Sequence, residues 1–173
     1  FKNRKISYKI YEDLKKKLKV IPHNFSGWRS FPNQKLSTIT INENGLRNKS
    51  IKELKKTQNC FLLGGSMAWG FGASSNDNIP SYQIEKILEN EHDIDINVIN
   101  LAEQSYTSIE ELNSFIFSFH ELNPAMVLIL SGCNDISFEY QNQYKKIPLY
   151  EDVLNFFLWG DKIGITKEKK KFH

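Results

Sequence analysis

A serine on a glycine turn is the feature of this sequence best suited to chemistry. Gly64, Gly65 and Ser66 directly follow the apolar residues 60–63, which read as a buried strand. Because glycines let the chain turn sharply and present the next side chain, Ser66 is a candidate nucleophile for acyl transfer. A serine at such a turn can equally cap the helix that follows. The loop by itself leaves both interpretations open.

Acyl transfer also needs donors for the oxygen that becomes negative in the tetrahedral intermediate. The candidate donors are the backbone N–H groups of Ser66 and Ala102 and the side-chain amide of Asn134. Asn134 could instead cap the next helix, as could Asp135. Four neighbouring residues are expected to shape the turns around these donors: Gly64, Gly65, Asn100 and Gly132.

The elements that must position these residues are three apolar runs separated by two helical patterns. Strands are predicted at 60–63, 96–99 and 125–130, and helices at 79–88 and 109–119. This alternation indicates an α/β fold with a parallel sheet covered on both faces. A polar segment follows each strand, and the carboxyl ends of parallel strands are where such folds form their sites. The three segments are therefore expected to converge.

Residues 1–57 are predicted to be a lead-in to an α/β domain that covers 58–173. The patterns favour an amphipathic helix over 7–19, irregular chain over 21–35 and a strand or hairpin over 36–41. Ser50 and Ser108 each begin a Ser-x-x-Glu capping-box pattern at the start of a predicted helix. Cys60 and Cys133 are expected to be free, buried thiols, since opposite strand ends lie too far apart for a disulfide.

Composition argues against several functions. The net charge of +3 comes mostly from lysine, with only three arginines among the 173 residues, which disfavours nucleic-acid binding. Residues 70–75 lack the third glycine of a dinucleotide fingerprint and no Walker lysine follows, so a nucleotide site is also disfavoured. No run approaches the roughly 18 apolar residues of a membrane span. Neither a metal nor a cofactor is expected.

Three segments, in this order and spacing, resemble the conserved blocks of the SGNH hydrolase superfamily, the GDSL-like esterases and lipases. Residues 64–66 stand where that family has Gly-Asp-Ser, and 100–106 resemble its Asn-x-Gly-x-x-Gly-Tyr block. Residues 132–135 match its Gly-x-Asn-Asp block. The resemblance covers about 58–136. Residues 27–29 and 38–47 resemble a lead-in found in one branch, where Arg47 is expected to be exposed at the end of a hairpin.

The resemblance implies a three-layer α/β/α, flavodoxin-like fold with a central parallel sheet. It implies Ser66 as nucleophile, with Ser66, Ala102 and Asn134 forming the oxyanion hole. The implied substrate is an acetyl or other short acyl ester of a carbohydrate or small molecule, and acyl transfer between sugars is a close variant. Two positions depart from the family pattern: Ala102 replaces the glycine of the second block, and Gly65 replaces the aspartate of the first.

The family takes its general base from a downstream Asp-x-x-His block, and this sequence contains none. His173 is the only histidine after Asn134, and Lys170 stands three residues before it. His23 and His92 read as surface residues, and His120 as a helix-end residue. Either the chain stops before the block, or it is an inactive relative that binds a ligand in the same pocket. We expect a truncated chain, because the apolar residues 149–159 are not followed by another strand.

Overall fold

The computed structural model describes residues 2–54, 56, 58–119 and 122–141. His120, His173 and residues 149–159 lie outside this part of the chain. The described strands are β1 Val20–His23, β2 Gly27–Ser30, β3 Gln58–Gly64, β4 Ile96–Asn100 and β5 Met126–Leu130. The described helices are α1 Lys2–Glu12, α2 Ser66–Trp69, α3 Pro80–His92, α4 Ser108–Ser114 and α5 Cys133–Gln141. π-helical turns at Asp13–Lys17 and Phe115–Phe119 continue α1 and α4, and 3-10 turns lie at Ile51–Glu53 and Asn76–Asn78.

A three-stranded parallel sheet in the order β4-β3-β5 confirms the three predicted strands. Helices flank it, and the described chain is a mixed α/β structure. Side chains of β3 alternate between two apolar clusters, with Cys60 and Leu62 in one and Phe61 and Leu63 in the other. The sheet was expected to be covered on both faces. In the described part of the chain, β5 is largely exposed, with Ile129 at 68%.

The N-terminal hairpin lies where irregular chain was expected. β1 and β2 pair antiparallel, with Pro22 opposite Trp28 in a two-stranded ribbon that tolerates proline. Of the strand or hairpin predicted at 36–41, no regular strand forms, but a short hairpin does, with an antiparallel Lys35–Thr40 bridge and a hydrogen bond from the Ile41 N–H to the Gln34 carbonyl oxygen at 2.8 Å. Ile39 and Ile41 are nevertheless buried in the sheet core, at 2% exposure each. The apolar alternation correctly indicated burial, although the backbone pairing here is local and too short to form a regular strand.

Helix α4 begins differently from the prediction. Its N-cap is Thr107 rather than Ser108, and the Glu110 carboxylate accepts hydrogen bonds from the Thr107 N–H at 2.8 Å and from its hydroxyl. The predicted apolar stripe is largely exposed, with Ile109 at 67% and Leu112 at 54%. The inward face of the helix carries polar side chains instead, namely Glu110, Glu111 and Ser114.

The first 54 residues pack directly onto the sheet. Leu18, which follows the π turn after α1, shares an apolar cluster with Cys60 and Leu62 of β3. On the opposite face, Leu46 belongs to the cluster of Phe61. The lead-in therefore contributes to both sides of the sheet core. The cap at Ser50 is confirmed, since its hydroxyl accepts from the Lys52 N–H, although the turn that follows is only Ile51–Glu53.

Candidate active site

A pocket of about 80 Å³ opens at the carboxyl ends of β3 and β5. It is lined by Gly65, Ser66, Met67, Tyr106, Glu111, Leu130, Ser131, Gly132, Cys133 and Asn134. The polar segments after two of the predicted strands, which are β3 and β5 in the structure, therefore meet, because parallel strands end at the same edge of the sheet. From the segment after β4, only Tyr106 reaches the pocket.

Ser66 is the first residue of α2, and Gly65 is the N-cap. Its hydroxyl forms no hydrogen bond to any of the described residues, and its side chain is partly exposed at the pocket. The helix-cap interpretation of Ser66 was therefore wrong. The short helix ends at Gly70, whose φ of 90° is readily adopted by glycine.

Close contacts explain both glycines before Ser66. A β-carbon on Gly64 would lie 2.5 Å from the carbonyl oxygen of Leu130, on the neighbouring strand. A β-carbon on Gly65 would lie 2.5 Å from Asn134 Nδ2. Non-bonded atoms do not tolerate distances this short. At Gly64 the obstacle is backbone, so glycine is required there, whereas at Gly65 a side chain would displace the Asn134 amide.

Asn134 lies in the first turn of α5 and does not cap it. Its Nδ2 donates to the carbonyl oxygen of Tyr106 at 2.7 Å. A primary amide nitrogen carries two hydrogens, and this bond to Tyr106 uses one of them. Asp135 also serves another helix, since its carboxylate accepts from the Ser108 N–H and hydroxyl at the start of α4. Asn134 is thus held beside Gly65 with a donor hydrogen available to a bound oxygen.

The structure does not bring Ala102 to the pocket. Ala102 is 3% exposed, and its N–H donates to Asn100 Oδ1 at 3.1 Å. Asn100 Nδ2 in turn lies 3.4 Å from the carbonyl oxygen of Trp69 at the end of α2. Asn100 therefore ties the end of β4 to α2, and the candidate donor on Ala102 is engaged within its own loop.

The N-terminal hairpin holds the loop that carries Tyr106. The Tyr106 hydroxyl donates to the carbonyl oxygen of Trp28 at 2.5 Å, and Trp28 Nε1 donates to the carbonyl oxygen of Gln104 at 3.0 Å. Glu103, which is 3% exposed, accepts from the Ser30 N–H at 2.7 Å. Burial raises the pKa of the Glu103 carboxyl, while its hydrogen bonds oppose that change. Because the Tyr106 carbonyl anchors Asn134, the hairpin indirectly positions the pocket.

Arg47 is buried at 1% exposure, which corrects the expectation of an exposed arginine. Its guanidinium lies 4.5 Å from the Trp69 ring centroid and donates to the carbonyl oxygens of Gly70 at 2.6 Å and Thr38 at 2.9 Å. Burial lowers its pKa to about 10, and the negative charges of Glu103 and Asp13 act in the opposite direction. Arg47 thus fastens the lead-in to the helix that begins with Ser66.

Glu111 is a pocket residue that the sequence interpretation missed. Its side chain lines the pocket and accepts a hydrogen bond from Ser131 Oγ at 2.7 Å. Burial raises the pKa of the Glu111 carboxyl to about 7, with smaller contributions from the nearby charges of Asp135 and Glu110. The sequence signal for Glu111 was its position next to another glutamate. Only one of the two can complete the capping box, and with Thr107 as the N-cap that residue is Glu110, which leaves Glu111 free for another role.

Neither described histidine lines the pocket. The His23 Nδ1 lies 2.8 Å from Ser26 Oγ, and burial together with Arg29 lowers the His23 pKa to about 4. His92 lies in the last turn of α3. Cys133 lines the pocket and is exposed, contrary to the expectation of a buried thiol, whereas Cys60 is buried; both are free.

In the described part of the chain, no group of three or more histidine, cysteine, aspartate or glutamate residues is arranged to hold a metal ion. No helix in that part has the length and apolar character needed to cross a membrane. A scan of protein-family models and a search of curated proteins returned no match to this chain.

Proposed function

We propose that this chain is a serine esterase of the SGNH type, acting on acetyl or other short acyl esters, with Ser66 as nucleophile. The observation that carries the proposal is the meeting of Ser66 and the Asn134 amide in one pocket, although they follow different strands. The two residues are 68 positions apart in the sequence. A hydroxyl that can act as nucleophile therefore lies beside an amide that can donate to the acyl oxygen, as acyl transfer requires.

In the proposed reaction, Ser66 Oγ attacks the ester carbonyl carbon, and the carbonyl oxygen becomes negative in the tetrahedral intermediate. The Asn134 amide and the Ser66 N–H donate to that oxygen. The intermediate expels the alcohol, which takes up a proton, and water then hydrolyses the acyl-serine to release the acid. The resemblance assigns the proton transfers to the histidine of an Asp-x-x-His block.

Two further observations support the SGNH assignment. Ser105 is a third departure from the family pattern, since it stands where the second block has its second glycine, but its φ of 63° lies in the left-handed region that this glycine favours. The apolar clusters on both faces of β3 favour the three-layer, flavodoxin-like arrangement of that family. The small pocket favours a short acyl group, on either a small molecule or a carbohydrate.

Labelling by a fluorophosphonate, which modifies activated serines, tests the proposal. The full-length native product should be labelled at Ser66 and should hydrolyse p-nitrophenyl acetate, and Ser66→Ala should abolish both. Ser74→Ala is a matched control, since Ser74 lies in the loop after α2 and its Oγ accepts from Asn78. Equal hydrolysis by the wild type and Ser66→Ala would refute the proposed nucleophile.

A non-catalytic binding domain is the second candidate, favoured by the fact that no histidine of the described residues lines the pocket. In that case the pocket would bind an ester or a related small ligand without cleaving it. Full-length protein that binds a carbohydrate acetate, yet resists fluorophosphonate at Ser66, would support this alternative. Acetyl transfer to a sugar in preference to water would instead identify the acyltransferase variant.

A further inference from the structure

Three side-chain contacts connect the segment after β5 to the region around α4. Asn134 donates to the carbonyl oxygen of Tyr106 at 2.7 Å, and the Asp135 carboxylate accepts from Ser108. The third contact is the hydrogen bond from Ser131 Oγ to the Glu111 carboxylate, at 2.7 Å. Of the two acids, Glu111 is the one that lines the pocket and is buried, at 3% exposure.

The backbone between β5 and Asn134 turns at Gly132. Gly132 has a φ of 96°, and a β-carbon built there would meet no atom within 4 Å. A side chain at this position would therefore contact no neighbouring residue. The bond from Ser131 to Glu111 fixes the start of this segment, three residues before Asn134 along the pocket wall.

We propose that Glu111 is a positioning residue that acts through Ser131, so that the placement of the Asn134 amide depends on whether the Glu111 carboxyl is ionised. An ionised carboxylate accepts a markedly stronger hydrogen bond than a neutral carboxyl group. Ionisation tightens the bond to Ser131, and protonation loosens it. This coupling between Glu111 ionisation and the Asn134 amide affects catalysis only if Asn134 is an oxyanion donor, as the proposed function states. The coupling itself does not depend on that function.

Several titratable groups surround Glu111. Glu110 on α4 is engaged in the capping box with Thr107, and Asp135 on α5 is engaged with Ser108. Cys133 and Tyr106 line the same pocket. Burial raises the pKa of the Tyr106 hydroxyl, so that group stays protonated near neutral pH. The raised pKa of Glu111, about 7, places its own titration in the neutral range.

NMR titration of the full-length protein tests this coupling without requiring activity. The ¹⁵N–¹H signals of the Asn134 side-chain amide, assigned with Asn134→Ser, should shift between pH 5.5 and 8.5 with a midpoint near 7. In Glu111→Gln, a close isostere, that shift should disappear. In Glu110→Gln, the matched control on the adjacent residue, it should persist.

Ser131→Ala separates the proposed route from a direct effect of charge. In this variant the NMR signal of the Glu111 carboxyl carbon should still titrate, while the signals of the Asn134 amide should no longer change with pH. An Asn134 titration that survives in Ser131→Ala would overturn the route through Ser131, and so would an amide that does not titrate in the wild type. Fluorophosphonate labelling of Ser66, measured separately, shows whether the proposed function has failed instead.

Discussion

The amide nitrogen of Asn134 occupies the space that a side chain on Gly65 would need, since a β-carbon there would lie 2.5 Å from Nδ2. The two residues follow different strands, β3 and β5, so their contact fixes one loop against the other. Gly65 has a φ of −85° and a ψ of −152°, an extended conformation open to any residue. A larger residue at this position would disturb the site through its contact with the Asn134 amide, and backbone strain would play no part.

Gly65→Ala should therefore damage the site more than the fold. The added methyl group displaces the Asn134 amide, and loss of one oxyanion donor typically lowers rates about 100-fold or more. We expect the rate of fluorophosphonate labelling at Ser66 to fall by about that factor, with a stability loss near 1 kcal/mol. Labelling kinetics and urea unfolding measure the two effects.

Gly72→Ala is the matched control for that substitution. A β-carbon on Gly72 would meet nothing within 4 Å, but its φ of 85° is unfavourable for alanine. Stability should fall by about 1 to 2 kcal/mol from backbone strain while labelling of Ser66 stays unchanged. Labelling of Gly65→Ala at the wild-type rate would show that the Asn134 amide does not serve Ser66.

Arg47→Ala should destabilise the protein by about 3 kcal/mol or more. It leaves the buried carbonyl oxygens of Gly70 and Thr38 without their donor and removes the stacking on Trp69. Arg47→Lys keeps the charge but not the planar fork, so an intermediate loss is expected. Urea unfolding measures both, with the exposed Lys52→Ala as a control expected within about 0.5 kcal/mol. A loss that small for Arg47→Ala would contradict the assigned role.

Strand prediction from the sequence succeeded where the side chains are apolar throughout, as in residues 60–63 and 125–130. A continuous apolar run is typical of a strand in a parallel sheet, so both strands could be recognised without a clear period, although most of β5 is exposed. At 36–41 the alternation indicated a strand or hairpin, and only a short hairpin around the Lys35–Thr40 bridge forms. The Thr38 N–H within it donates to the Asp13 carboxylate. A long-range contact of this kind leaves no local signature.

The candidate site was predictable in part for a similar reason. Ser66 and Asn134 follow strands whose order along a parallel sheet brings their ends together, and topology alone places them at one edge. Glu111 was missed because the capping-box pattern beginning at Ser108 assigned its carboxylate to the cap, a role that Glu110 has in the structure. Arg47 was taken as exposed because a charged side chain near a hairpin usually is, and its acceptors, Gly70 and Thr38, are backbone carbonyls invisible to side-chain patterns.

Below neutral pH, His23 should reduce stability. Its folded-state pKa of about 4 lies below the ordinary 6.5, so between these values the unfolded chain binds more protons and stability falls as pH decreases. Relative to His23→Gln, the wild type should lose about 1 to 2 kcal/mol over this window, less than the full pKa difference because the ring is partly solvated. Unfolding at a series of pH values measures this loss, and an NMR midpoint for His23 near 6.5 would contradict it.

Glu111 should have the opposite pH dependence. Its folded-state pKa of about 7 lies above the ordinary 4.5, so between these values the folded state binds more protons. The associated stability is complete below about 4.5 and is lost as pH rises through 7, by up to about 3 kcal/mol.

Because Gln cannot ionise, Glu111→Gln should gain stability relative to the wild type across that window, and the two curves should run parallel above pH 8. The quantity to compare is the difference in unfolding free energy between the wild type and Glu111→Gln at each pH. The His23 effect is present in both proteins and therefore cancels in this difference. A difference that stays constant from pH 4 to 8 would mean that Glu111 titrates in the folded protein as it does in the unfolded chain, and that burial in the pocket does not hold its proton.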